Sequence, residues 1–242
     1  NKALLDDPLY NGIERRRVRG EAYDALVEEF ITAAGEAFPG VVIQLEDFGN
    51  ANAFRLLAKY RDRACVFDDD IQGTGAVTLA GIISALRLTG GELAQQKLLF
   101  LGAGEAGIGV ADIFCAALTE EGMNEEEARR HCWFVDSHGL VTADREDLAP
   151  HKLRYAHEHP PVADFLDAVK TLEPTAIIGL SGQTALFTQA VVEAMGEINE
   201  RPIILALSNP TVKAECTAEQ AYGWTGGRAV FASGSPFDPV TV

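Results

Sequence analysis

The sequence is short of positive charge. Against 36 Asp and Glu stand only 20 Lys and Arg, a formal net charge of −16 over 242 residues. Nucleic-acid backbones and anionic membranes are gripped by clustered Lys and Arg, so the deficit argues against both as partners. Cysteine is scarce too. The four cysteines, Cys65, Cys115, Cys132 and Cys216, form no C-x-x-C pair. A chain of this length does not need a disulfide scaffold, and free, buried thiols in a reducing compartment are the expectation. The matching location is the cytoplasm, or an organelle matrix or stroma if a transit peptide has been removed. No run approaches the roughly 18 apolar residues of a membrane span. The opening NKALLDDPLYNG is polar and turn-rich, unlike a signal peptide. No Ser-His-Asp or Cys-His arrangement is legible. The pair His157 and His159 precedes Pro160-Pro161 and reads as an extended surface loop, and Arg15-Arg16-Arg17-x-Arg19 as a solvated or interface stretch.

What is present is ordinary globular material, 47% hydrophobic and 23% charged, with ample apolar residues for a core. Residues 21–38 repeat apolar side chains at Leu26, Val27, Phe30, Ile31 and Ala34, a helical spacing stopped by Pro39-Gly40. Short strands are predicted at 41–45 and 64–67, with helices at 50–63 and 76–90. From residue 97 the rhythm changes. KLLFLG (97–102), CWFVD (132–136), TAIIGL (175–180), PIILAL (202–207) and RAVFAS (228–233) are short and almost wholly apolar, as strands of a parallel sheet covered on both faces are. Helical stretches at 107–120, 162–171 and 187–198 separate them. The pattern predicts an α/β fold: a doubly wound parallel sheet of the Rossmann type over 69–242, preceded at 1–68 by part of a second α/β unit. The charged stretch 119–130 reads as a solvated helix end or loop insertion.

Gly102-Ala103-Gly104-Glu105-Ala106-Gly107 follows a strand and opens a helix. In that context G-x-G-x-x-G serves a dinucleotide. The first glycine makes the turn, the second admits a pyrophosphate, and the third lets helix and strand pack. The helix N-terminus supplies N–H donors. The next strand ends at Asp136, where an acid meets the ribose. Asp136 lies 29 residues past Gly107, longer than the usual ~20, and the 119–130 stretch accounts for the excess. Ser137 and Lys152 have the chemistry to serve a 2′-phosphate, although spacing does not place Lys152, which read alone is a surface lysine. Asn209, in Ser208-Asn209-Pro210-Thr211, either offers a carboxamide to a nicotinamide or substrate or makes a turn.

Two acidic clusters end consecutive strands: Glu46-Asp47 and Asp68-Asp69-Asp70. Five carboxylates together repel unless a cation is present, and carboxylate oxygens suit Mg²⁺ or Mn²⁺. Helix capping by Asp47 and Asp70 is the other reading.

Taken together these segments resemble the malic enzyme family. The resemblance is carried by Gln44-Leu45-Glu46-Asp47-Phe48-Gly49-Asn50, by Asp69-Asp70-Ile71-Gln72-Gly73-Thr74, by the glycine loop and by Ala206-Leu207-Ser208-Asn209-Pro210-Thr211. Asp7-Pro8-Leu9-Tyr10 and Phe231-Ala232-Ser233-Gly234-Ser235-Pro236-Phe237 extend it over the whole chain. The resemblance implies an oxidoreductase that decarboxylates (S)-malate to pyruvate and CO₂, with NADP (NAD possible) and Mg²⁺ or Mn²⁺. It implies Glu46, Asp47 and Asp70 as metal ligands and Asp69 as the catalytic-site acid beside a general-base lysine. It implies a cofactor set of Asn50, Thr74, Gly102, Gly104, Glu105, Ala106, Gly107, Asp136, Ser137, Lys152 and Asn209, with Asn209 also near substrate. A homo-oligomer, tetramer or dimer, follows by the same resemblance. The family's general-base lysine, its acid tyrosine and its C-terminal portion find no counterpart in these residues. The expectation is therefore a central piece that binds NADP weakly and turns over malate negligibly by itself. Asp68 stands where the family more often has Asn, a change read as neutral.

Overall fold

The computed structural model describes residues 5–12 and 17–241. Arg15 and Arg16 of the basic run lie outside the described residues. The first helix lying wholly within the described residues, α1 (Glu21–Ala37), buries Val27 and Ile31. Leu26 and Phe30 of its apolar repeat stay exposed. Strand β1 (Ile43–Leu45), helix α2 (Ala53–Tyr60) and strand β2 (Val66–Asp68) follow. The two strands form a small parallel sheet whose register sets Leu45 opposite Asp68. Glu46-Asp47 and Asp69-Asp70 therefore leave the sheet side by side. Pairing, rather than proximity in sequence, brings the two acidic clusters together.

The predicted helix at 76–90 begins earlier. A π-helical turn, Asp69–Gly73, runs directly into α3 (Thr74–Thr89), which Gly90 terminates in the left-handed conformation. The joined helix, Asp69–Thr89, is 21 residues with a mean hydropathy of 1.3, long and apolar enough by length and composition to cross a membrane. That corrects the expectation that no such run exists. It opens with two aspartates and buries Gly75, Thr78, Ile82, Ala85 and Leu86 within the protein, which a lone apolar helix in lipid has no reason to do.

Beyond it lie β3 (Leu98–Leu101), α4 (Glu105–Glu120), α5 (Glu125–Arg129), β4 (Cys132–Asp136), β5 (Gly139–Leu140), α6 (Phe165–Leu172), β6 (Ala176–Gly179), α7 (Gln189–Ile198), β7 (Ile203–Ala206), α8 (Ala218–Trp224) and β8 (Val230–Ser233). Among the described residues the large sheet runs β5-β4-β3-β6-β7-β8, parallel except for the short antiparallel β5. This is the expected doubly wound sheet, with its reversal of strand order between β3 and β6. The strands are apolar throughout because both faces are covered. Leu98 and Phe100 pack with Ile108, Ala111 and Phe114 on one side, and Leu99 and Leu101 pack with Val169 and Val192 on the other. β5, α5 and α8 carry no strong pattern and were not expected. The charged 119–130 segment is the end of α4, a turn and α5.

The thiols are unpaired, as expected, but Cys65 is exposed rather than buried. His157 is not a free loop residue. Its ring is half-buried against Trp133, with centroids 4.5 Å apart, and its Nε2 meets the carbonyl of Cys132 at 2.9 Å.

Candidate functional site

The glycine loop occupies the carboxyl end of β3. Gly102 has φ +110°, a conformation open to glycine, and an added Cβ would lie 2.7 Å from the carbonyl oxygen of Leu180, beyond β6. A Cβ on Gly107 would lie 2.7 Å from the Gly102 carbonyl oxygen. The turn and the close strand–helix approach read from the sequence are both present. Glu105 and Ala106 begin α4, whose free N–H groups face the loop.

One of those N–H groups is already engaged. Glu105 N–H donates to Oδ1 of Asn50 at 2.6 Å, across 55 residues of chain. Asn50 follows the first acidic cluster, so a single side chain ties that cluster to the nucleotide-binding helix. A second tie stands beside it. Phe54 of α2 stacks on His151 at 5.0 Å between centroids. His151 Nε2 is buried without a partner, and burial lowers its pKa.

The acidic cluster is built from both strand ends. The Asp47 N–H donates to Asp70 Oδ2 at 2.7 Å. Asp47 sits at φ +58°, a strained conformation for a non-glycine residue. Gln44 Nε2 donates to Glu46 Oε2 at 2.6 Å and to Asp69 Oδ2 at 3.2 Å, bridging the two clusters. Asp68 is fully buried. Its Oδ1 accepts from the Ile71 N–H, while its Oδ2 has no partner. Burial raises its pKa, and the neighbouring Asp70 and Glu46 charges oppose the effect of its hydrogen bonds. An Asn here would add a donor and remove a charge. Glu105 carries the same signature: an unpartnered Oε2 and a pKa pushed up to about 7, first by burial and then by Asp70, Asp68 and Asp47.

These groups suit a hard divalent cation in kind: carboxylate oxygens, two of them buried and unpartnered, crowded against like charge. Their positions are less complete. Among the described residues no three Asp, Glu, His or Cys side chains converge closely enough to hold a metal ion. Glu46, Asp47 and Asp70 are thus gathered by the backbone but not assembled into a ligand shell. Asp69 bends over Gly73, whose Cβ would meet Asp69 Oδ1. Thr74 stands half-buried at the start of α3.

At the other end of the crevice Asp136 is held by two cations. Arg145 reaches its Oδ1 and Oδ2 at 3.0 and 3.2 Å, and Lys152 Nζ reaches Oδ2 at 2.5 Å. Burial would raise the Asp136 carboxyl, but hydrogen bonds from Arg145, Lys152 and the His138 N–H outweigh it and leave the pKa below its ordinary value. Lys152 is therefore no plain surface lysine. Arg145, 14% exposed at its side chain, carries no sequence signal: it lies in an irregular loop with no motif or period. Ser137 is exposed in the turn after Asp136. Asn209 is exposed beyond β7, next to Ser208, whose hydroxyl accepts from the Gly182 N–H at 2.9 Å.

Two family models match the chain: "Malic enzyme, N-terminal domain" over residues 1–61 and "Malic enzyme, NAD binding domain" over residues 71–242. A curated "NADP-dependent malic enzyme" of Columba livia is 51% identical over 243 aligned positions, which take in 100% of this chain and 44% of that protein. The "NADP-dependent malic enzyme, chloroplastic" of Flaveria trinervia is 53% identical, covering 99% of this chain and 37% of that protein. The chain thus spans less than half the length of these curated relatives. Among solved structures, the malic enzyme of Pyrococcus horikoshii superposes with a TM-score of 0.67 at 26% identity, over 86% of this chain and 47% of that one. The Entamoeba histolytica malic enzyme, at 24% identity, shares the fold with a TM-score of 0.73 over 92% of this chain and 44% of its own.

Proposed function

The chain belongs to the malic enzyme family, and from that premise we propose that the complete protein oxidatively decarboxylates (S)-malate to pyruvate and CO₂ while reducing NADP. The observation that carries the reading is the bridge from Asn50 to Glu105. It sets the carboxylates of Glu46, Asp47, Asp69 and Asp70 against the mouth of the glycine loop. A dinucleotide-binding module has no use for that juxtaposition. An enzyme that must bring a hydroxy acid to a nicotinamide does.

In this reading Glu46, Asp47 and Asp70 hold a divalent cation. A cation held there would supply Lewis-acid chemistry at the malate hydroxyl and carboxylate oxygens. The chain's own contributions are positional and electrostatic. Gln44 holds the Glu46 and Asp69 carboxylates in one place. Asp70 fixes the strained backbone at Asp47. The α4 N-terminus and Gly102, Gly104 and Gly107 receive the pyrophosphate, and Asn209 stands at the nicotinamide side. The preference for NADP is argued from the far end of the crevice. There Lys152 and Arg145, the latter shared with Asp147, neutralise Asp136, which removes the acid that would otherwise favour a free 2′-hydroxyl and sets two cationic side chains where a 2′-phosphate can compete for them.

The test is Asp70→Ala in the complete protein, read as malate-dependent NADPH formation with and without Mn²⁺. Loss of both activity and metal dependence, with NADP binding retained, is the expected result. Undiminished turnover overturns the metal role given to Asp70, and a wild-type protein that binds NADP but forms no NADPH from malate overturns the enzyme reading in favour of a nucleotide-binding module.

A further inference from the structure

Glu215 is fully buried, and its carboxylate meets serine donors rather than a cation among the described residues. Such a charge is costly unless hydrogen bonds saturate it. Here they do. Ser181 donates both its N–H and its hydroxyl to Oε1, each at 3.2 Å. The Ser208 N–H donates to Oε2 at 3.3 Å, and the Ser208 hydroxyl makes a short bond to Oε1. The Ser208 hydroxyl oxygen in turn accepts from the Gly182 N–H.

The placement of these donors is the informative part. Ser181 and Gly182 leave β6, and Ser208 leaves the adjacent β7. Both loops therefore hang from one carboxylate at the carboxyl end of the sheet. Glu215 reaches them by passing beneath the last residue of β6: a Cβ on Gly179 would lie 2.3 Å from Glu215 Cδ. The β6 loop also abuts the glycine loop, since Leu180 and Ser181 line the space against Gly102. Asn209 follows Ser208 directly.

We propose that Glu215 is a positioning residue. By clamping the Ser181 and Ser208 loops together, it sets Asn209 and the nicotinamide half of the cofactor crevice without touching the reacting atoms. This rests on the malic enzyme reading given above for the identity of the reaction, though not for the clamp itself. A neutral amide serves less well in its place. Gln at 215 keeps the shape, but with its carbonyl at the Oε1 position its NH₂ faces the Ser208 N–H, donor against donor. The buried mismatch opens the loops.

The experiment compares wild type, Glu215→Gln, Ser208→Ala and the double variant of the complete protein. Binding of 2′,5′-ADP, which probes only the adenosine half, is expected to stay within about twofold in every variant, because Asp136, Arg145 and Lys152 lie at the opposite side of the crevice. NADPH affinity is expected to fall roughly tenfold in Glu215→Gln, and malate-dependent kcat by roughly 10- to 100-fold, the scale of an ångström misplacement. The double variant is expected to be no worse than Glu215→Gln alone within about threefold, because both substitutions break one clamp. Glu215→Asp, which keeps the charge, is expected to recover part of the NADPH affinity. Equal losses of 2′,5′-ADP and NADPH binding overturn the proposal, since Glu215 would then only support the fold. Undiminished NADPH affinity, or a double variant whose losses multiply, overturns it too. Wild type lacking malate-dependent turnover refutes the reaction assigned above, while the ratio of NADPH to 2′,5′-ADP affinity still decides the clamp.

Discussion

Gly35 and Gly109 are both interior helix residues, and intrinsic propensity treats them alike: Gly→Ala should stabilise each helix by about 0.5–1 kcal/mol. The structure separates them. Nothing lies within 4 Å of a Cβ built on Gly35 in α1. A Cβ on Gly109 in α4 would stand 2.2 Å from the backbone carbonyl oxygen of Ile71 and 2.8 Å from its Cα. Those atoms belong to the π-turn that carries Asp69 and Asp70, and a backbone does not swing aside as a side chain does. α3 meets α4 at the same place, where a Cβ on Gly75 would lie 2.9 Å from the Gly109 carbonyl oxygen. Overpacking of this kind costs about 1–3 kcal/mol or more, which exceeds the propensity gain. Gly35→Ala should therefore raise the melting temperature of the complete protein by about 0.5–1 °C, and Gly109→Ala should lower it by ~1–3 °C. Thermal denaturation followed by far-ultraviolet circular dichroism measures both. Because α4 can relieve the contact only by pushing the Asp69-Asp70 turn away, Gly109→Ala should also weaken Mn²⁺ binding, whereas Gly35→Ala should not. A Gly109→Ala variant as stable as Gly35→Ala would refute the reasoning, since it would mean that the helix and the acidic turn are not in contact.

Three other outcomes follow from the site. Arg145→Ala leaves Asp136 with Lys152 as its one cation and unpairs Asp147 from Arg145, so the two carboxylates repel a 2′-phosphate. NADP affinity should fall about tenfold or more, in keeping with ~1.5–3 kcal/mol for hydrogen bonds to charged groups. NAD affinity should change little, and equal losses in titrations with the two cofactors would sink the specificity argument. Glu105 has its pKa raised from 4.5 to about 7, so the folded state binds the extra proton and loses stability as pH rises from the unfolded value through the folded one. Glu105→Gln should flatten that loss. In metal-free buffer it should exceed wild type by about 1 kcal/mol near pH ~8, after allowance for solvent screening, and match it near pH ~4. Urea midpoints across pH decide this, and parallel profiles would contradict it. Asn50→Ala removes the acceptor for the Glu105 N–H at the head of α4, a cap worth about 1 kcal/mol. Faster hydrogen exchange at the Glu105 amide is the direct readout, and unchanged protection there would show that the bridge does not exist in solution.

The parts of this protein that its sequence determined are those whose physics is local. Apolar runs such as LLFL and AIIG mark strands buried on both faces, and the glycine loop announces itself because Gly102 must adopt a positive φ and Gly107 must sit against its carbonyl. The acidic clusters were legible because several carboxylates at strand ends need an electrostatic reason. Tertiary structure decided what depends on contacts between segments far apart in the chain. Parallel pairing of β1 with β2 set the two clusters abreast. The reach of Asn50 to Glu105 joined them to the nucleotide loop. Arg145 emerged as the partner of Asp136 from an irregular loop, and Glu215 as the link between two others. None of these side chains sits in a periodic pattern. An arginine in a loop or a glutamate after a turn reads as solvated surface until folding removes the water and leaves the other charge or donor as its only partner.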